Sequence, residues 1–155
     1  MIKPIYTIFL ALLIALFVGL GIDTFYPGPK APQYPIKLDQ VKPGCEETIE
    51  QQTLRNEFNQ AQNQFLEEFK PYSRNVSIIS LVASIIILVL SLTLLAKIKM
   101  IADGILLGGV FVTAYSIIRG FMSESSEFRF LIITIGLIIA LVLGYIKFIR
   151  PKKNL

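Results

Sequence analysis

The chain has no histidine and only one cysteine, Cys45. The first absence removes the commonest general base and the commonest metal ligand. The second rules out an intrachain disulfide and any Cys-rich metal or redox centre. The phosphate loop G-x-x-x-x-G-K-[ST], the nucleophile elbow G-x-S-x-G and the zinc signature H-E-x-x-H are also missing. Charge is scarce, at 17% of residues, against about 25% in soluble domains. It is also unevenly spread, because four long stretches carry none at all. These are residues 5–22, 76–96, 104–118 and 130–146.

What fills the stretches is apolar. Of the 155 residues, 54% are hydrophobic, and the mean hydropathy is +0.63. A helix crossing about 30 Å of hydrocarbon needs roughly 20 mostly apolar residues. Three of the stretches meet that length directly. The third does so if it runs on through Phe121 and Met122. The sequence therefore predicts an all-α membrane protein, a single membrane domain over 1–155. Its four transmembrane helices are expected at about 5–22, 76–96, 104–122 and 130–149. The first stretch has Lys3 before it, as a cleavable signal peptide would. Its apolar run exceeds the usual 7–15 residues, and Val18-Gly19-Leu20-Gly21 fits a cleavage site poorly, so a retained anchor is expected.

The charges between the stretches predict an orientation. With the N-terminus in the cytoplasm, Lys3, Lys97, Lys99, Lys147, Arg150, Lys152 and Lys153 all lie inside, in very short segments. Asp103 is the one acid with them, so the inner side carries a net +6. Eight basic and ten acidic residues fall outside, a net −2. Positive residues concentrate in short cytoplasmic loops, so both termini are expected in the cytoplasm, with the chain in the cytoplasmic (plasma) membrane. The same charges explain the basic pI through topogenesis and attraction to anionic lipid. A short basic tail abutting a span is a poor basis for nucleic-acid binding. The lipid bilayer is thus the first expected partner.

Residues 23–75 form the expected extracytoplasmic segment. Over 23–44, Pro27, Pro29, Pro32, Pro35 and Pro43 predict an extended strap. It reads either as a spacer or as a docking strip for an aromatic groove. Over 46–69 the period changes to that of one amphipathic helix. Glu46, Glu47 and Glu50 suit its positive end, and Ile49, Leu54, Phe58, Ala61, Phe65, Phe69 and Tyr72 make one stripe. Pro71 is expected to kink or break the chain before the second span. An acidic, amide-rich polar face argues against the stripe lying on the membrane surface. It is left to pack on the strap, on a partner membrane protein or on a second copy. Leu54, Phe58, Phe65 and Phe69 are the candidate partner-binding residues. Cys45 is expected as a small residue before the helix, with a bridge between two copies as the alternative.

The spans carry small residues at four-residue spacing: Ala11, Ala15 and Gly19; Ser80 and Ser84, with Ser77 and Ser91 nearby; Gly104 and Gly108; Gly136, Ala140 and Gly144. Such ridges let helices approach closely in lipid, and they are the candidate helix-packing positions. Asp103 reads as the N-cap of the third span, and Arg119 as a residue that snorkels or pairs with Glu124 or Glu127. Thr93, Thr113, Tyr115, Ser116, Thr134 and Tyr145 are expected to bond back to their own helix or to sit at an interface.

Five stretches carry a resemblance. They are Asp23-Thr-Phe-Tyr-Pro-Gly-Pro, Tyr72-Ser-Arg-Asn-Val-Ser-Ile-Ile, Ile101-Ala-Asp-Gly-Ile-Leu-Leu-Gly-Gly-Val, Tyr115-Ser-Ile-Ile-Arg-Gly and Gly144-Tyr-Ile-Lys-Phe. Together the chain resembles uncharacterised four-span membrane proteins of small-genome candidate-phyla bacteria. The resemblance implies the topology and brings no activity with it.

These features favour a non-enzymatic membrane scaffold or accessory subunit that binds a partner or itself through the extracytoplasmic segment. No catalytic, cofactor-binding or metal-binding residue and no cofactor is expected. Ion transporters usually keep ionisable groups within the bilayer, and these spans hold none. A transport or channel component whose pathway forms on oligomerisation is the alternative. A membrane enzyme using Glu46, Glu47, Glu50, Glu67 and Glu68 comes third.

Overall fold

A computed structural model describes residues 2–36, 48–94, 98–123 and 125–149. The described residues form helices and connections, without strands. Helix α1 covers Ile2–Phe25, α2 covers Ile49–Leu94, α3 covers Lys99–Phe121 and α4 covers Ser126–Gly144, which a π-helical turn, Tyr145–Ile149, extends. All four helices are long and apolar enough to cross a membrane. Two compact units are present: residues 1–27 with 73–155, and residues 28–72.

In hydrocarbon no water is available to bond exposed N–H and C=O groups, so apolar runs that enter a bilayer close all their backbone bonds as helices. The helices also start where local chemistry starts them. Ser125 caps α4 by accepting a hydrogen bond from the Phe128 N–H at 3.2 Å. Thr48 and Gln51 form a reciprocal capping box ahead of α2. The Thr48 N–H donates to Gln51 Oε1 at 3.0 Å, and the Gln51 N–H to Thr48 Oγ1 at 3.4 Å.

Of the two outcomes expected at Pro71, the break does not occur: helix α2, 46 residues long, runs through it. The proline removes one i→i−4 bond and crowds a carbonyl, at a cost of about 3 kcal/mol. About six helical turns lie on either side, and their cooperative bonding keeps the helix from ending there. Asp103 is not an N-cap. Helix α3 begins a turn earlier, at Lys99 after Ile98, with no side-chain cap bond. Asp103 instead pairs with Lys147, beyond the end of α4.

Within the membrane unit, the register of contacts orders the helices around α3. Gly104 and Gly108 of α3 face Leu10 and Ile14 of α1. Both numbers rise together, so α1 and α3 run parallel. Ser116 and Ala102 bond to Ser77 and Ser91 of α2. Here one number falls as the other rises, so α2 is antiparallel to α3. Ile117 and Gly120 meet Gly136 and Ile132 of α4, again antiparallel. Lys3, Lys99, Asp103 and Lys147 consequently lie toward one end of the bundle. Tyr26, Asn75, Arg74 and Phe128 gather at the other, where Asn75 donates to the Tyr26 hydroxyl at 2.9 Å and Arg74 lies 5.6 Å from the Phe128 ring centroid.

The core is thin and rich in hydroxyls. Ser77, Ser80, Ser84, Ser91 and Ser116 are fully buried, with Val76, Val112 and Ile132 among them. By contrast, α1 and α4 leave most of their surface uncovered. Phe9, Leu12, Leu16, Phe17 and Leu20 on α1, and Phe130, Leu137, Ile138 and Leu141 on α4, are all exposed. Water would penalise that much contiguous apolar area. Lipid would not.

Candidate interaction surface

The unit over residues 28–72 holds the candidate partner-binding residues. Past the capping box, Leu54, Phe58, Ala61, Phe65 and Phe69 are each half-buried, while most positions between them are exposed. Their three- and four-residue steps place them along one side of α2. Tyr72 ends the row, buried.

Part of this row is covered by the chain itself. The Tyr34 ring meets Phe58 edge-on, with centroids 5.3 Å apart and planes at 81°. Aromatic pairs favour this edge-to-face arrangement. Gly28 lies so close to Tyr72 that a Cβ there would sit 2.8 Å from the ring. Only glycine gives that approach without displacing the tyrosine. Residues 27–35 form neither helix nor strand, as prolines at 27, 29, 32 and 35 dictate. The strap region expected beyond residue 36, Cys45, Glu46 and Glu47 lie outside the described residues.

Phe65 and Phe69 form the other half of the row. Their rings stack at 5.3 Å and 28°, and Phe69 continues to Tyr72 at 6.3 Å. Both remain half-buried, and Leu66 beside them is 44% exposed. The two stacked phenylalanines, partly open to solvent beside the buried Tyr72, make a surface suited to a further apolar contact.

The candidate helix-packing residues separate into two groups. Ala11 is fully buried and Ala15 half-buried. A Cβ at Gly104 would lie 2.7 Å from Leu10 Cδ2, one at Gly108 3.0 Å from Ile14 Cβ, and one at Gly136 2.9 Å from Ile117 Cδ1. Gly19 and Gly144 have nothing within 4 Å of where a Cβ would stand. Ala140 is exposed and, with Gly136, lines an apolar groove between α3 and α4.

The chain matches no protein-family model, no curated protein and no solved structure.

Contacts that sequence reasoning missed lie mainly between helices. Ser77 and Ser116 bond reciprocally: Ser77 Oγ donates to the Ser116 carbonyl at 2.8 Å, and Ser116 Oγ to the Ser77 carbonyl at 2.7 Å. Ser91 Oγ donates to the Ala102 carbonyl at 2.7 Å. The serine ridge of α2 is visible in the sequence, whereas Ser116 reads there only as a residue that bonds back to its own helix or sits at an interface. Thr93, Thr113 and Thr134 do bond back to carbonyls of their own helices. Arg119 bonds the Tyr115 hydroxyl at 3.0 Å and lies 5.5 Å from that ring's centroid. Among the described residues no group of three His, Cys, Asp or Glu is placed to hold a metal ion.

Proposed function

We propose that the protein is a non-enzymatic scaffold or accessory subunit of the cytoplasmic membrane, with both termini in the cytoplasm. Its segment between the first and second spans lies outside and binds a membrane-protein partner or a second copy. That segment combines a proline-rich strap with an amphipathic helix, and the contact is made through Leu54, Phe58, Phe65 and Phe69. The orientation rests on the concentration of lysine and arginine in the short segments on one side. The resemblance to four-span proteins of candidate-phyla bacteria agrees with this layout and adds no chemistry.

The observation that carries the reading is the stacked, half-buried Phe65–Phe69 pair. Phe58 already has Tyr34 against it, so the pair further along is the part left for a partner. The alternative of a transport pathway has less support. Among the described residues the buried hydroxyls of Ser77, Ser80, Ser84, Ser91, Thr113 and Ser116 are bonded to backbone carbonyls within the chain, and only the Ser73 hydroxyl is buried without a partner.

The test is a pair of double variants in native membranes. Phe65→Glu with Phe69→Glu should abolish crosslinked species, because each buried phenylalanine contributes about 1.5–3 kcal/mol. Asn56→Glu with Asn63→Glu, at exposed positions, should leave them intact. Equal crosslinking by the two, with equal membrane insertion, would remove the stripe as a binding surface.

A further inference from the structure

At the end of the bundle where α1 and α3 both begin, a cleft of about 520 Å³ opens between them. Lys3, Pro4, Thr7 and Ile8 of α1 form one wall, and Lys99, Met100 and Asp103 of α3 the other. The size falls within the range of small-ligand sites. Among the described residues neither Lys3 nor Lys99 has a carboxylate partner, because the one acid in the cleft, Asp103, is taken by Lys147. Two like charges therefore face a shared space without a counter-ion.

We propose that this cleft binds the phosphate of an anionic glycerophospholipid, held between the ammonium groups of Lys3 and Lys99. The cleft sets charged groups beside apolar wall, as such a lipid sets its headgroup beside its acyl chains. Its charged groups belong to the first residues of α1 and to the opening turn of α3. Ile8 and Met100 supply apolar wall, and the exposed Leu12, one helical turn beyond Ile8, continues it along α1. A headgroup phosphate beside the lysines would leave an acyl chain lying along that apolar face. Because α1 and α3 run parallel, the positive ends of both helices add to the field of the lysines. The Lys147–Asp103 pair has a role in this scheme, since it neutralises the carboxylate that would repel the phosphate. Free phosphate shares the charge chemistry but has no use for the apolar wall.

The experiment uses the full-length protein in nanodiscs, with bound lipid counted by native mass spectrometry. Phosphatidylglycerol is compared with phosphatidylcholine of the same acyl chains, with and without millimolar inorganic phosphate. Phosphatidylglycerol should be retained preferentially. Lys3→Gln or Lys99→Gln should each weaken that preference about fivefold, and both together about twenty-five-fold, at roughly 1 kcal/mol per basic residue. Lys3→Arg with Lys99→Arg keeps the charge and should keep the preference. Lys30→Gln, far along the chain from the cleft, should change nothing. Lys147→Gln should weaken binding by freeing Asp103, although Lys147 does not line the cleft. Displacement of the lipid by phosphate would assign the site to soluble phosphate, retaining the lysine pair but refuting the lipid. Equal phosphatidylglycerol retention by the wild type and the double glutamine variant, both folded, would overturn the proposal.

Discussion

Replacing Gly108 with leucine should separate α1 from α3, and the structure sets the scale of the cost. A Cβ at Gly108 would stand 3.0 Å from both Ile14 Cβ and Ile14 Cγ2, and 3.1 Å from Cδ1. Comfortable carbon–carbon separation is about 3.5–4.0 Å. At Gly104 the nearest atom is the Cδ2 tip of Leu10 at 2.7 Å, which can rotate, with Cγ and Cβ further off at 3.2 and 3.3 Å. At Gly108 it is the branch point of a β-branched residue, whose χ1 has one strongly preferred value in a helix. The helices themselves must therefore move by several tenths of an ångström even for alanine, and by more for leucine. Overpacking of this kind costs about 1–3 kcal/mol, or about a 5- to 150-fold drop in the folded-to-unfolded ratio. Gly19→Leu supplies the comparison, because nothing lies within 4 Å of its Cβ position. It makes the same chemical change in a span. Leu106→Ile keeps the volume and should cost less than about 1.5 kcal/mol. Unfolding of the purified protein in mixed micelles, titrated with denaturing detergent and followed by helical circular dichroism, reads all three. If Gly108→Leu is no less stable than Gly19→Leu, the close approach of α1 and α3 is not what holds them together.

The reciprocal serine pair can be tested in the same assay: Ser77→Ala or Ser116→Ala should each cost about 0.6–2 kcal/mol, the range for bonds between helices in lipid. Because the two hydroxyls belong to one contact, the double variant should cost less than the sum of the singles. Topology is tested by single cysteines in a Cys45→Ser background, labelled in intact cells with an impermeant maleimide. Cysteine at Gln33 or Ser125 should label and at Lys99 should not, and the reverse pattern would invert the orientation.

The spans were legible because hydrocarbon excludes charge, and a charge-free run needs no tertiary knowledge to recognise. The same criterion misplaced the start of α3. It stopped at Asp103, whereas the helix begins at Lys99 and the carboxylate meets Lys147. A pair separated by 44 positions leaves no local trace. The chain does not break at Pro71 for a related reason: the proline's penalty is local, while the helix that absorbs it extends for many turns on both sides. The G-x-x-x-G of α3 was visible, but its partners Leu10 and Ile14 were not, since any span offers branched side chains. Gly19 fits the same spacing rule and has nothing within 4 Å of its Cβ position, so spacing alone does not distinguish a close contact from open space. The stripe from Leu54 to Phe69 could be read from its period, and the half-burial of each member agrees with that period. That Tyr34 would cover Phe58 depended on where the proline-rich chain returned. The capping box is written in the sequence as Thr48-x-x-Gln51, but Glu46, Glu47 and Glu50 around it are the stronger signal of a helix start.

A photo-crosslinking amino acid introduced at Phe65, and separately at Asn63, reports most directly on whether the 28–72 segment is a binding surface. The two positions lie on the same helix, one half-buried in the aromatic row and the other exposed. After irradiation of native membranes and mass spectrometry of the adducts, position 65 should give one discrete protein adduct, either a second copy or a single membrane protein. Position 63 should give none. Adducts from position 65 confined to lipid or to the chain's own residues, or identical patterns from both positions, would contradict the proposed function.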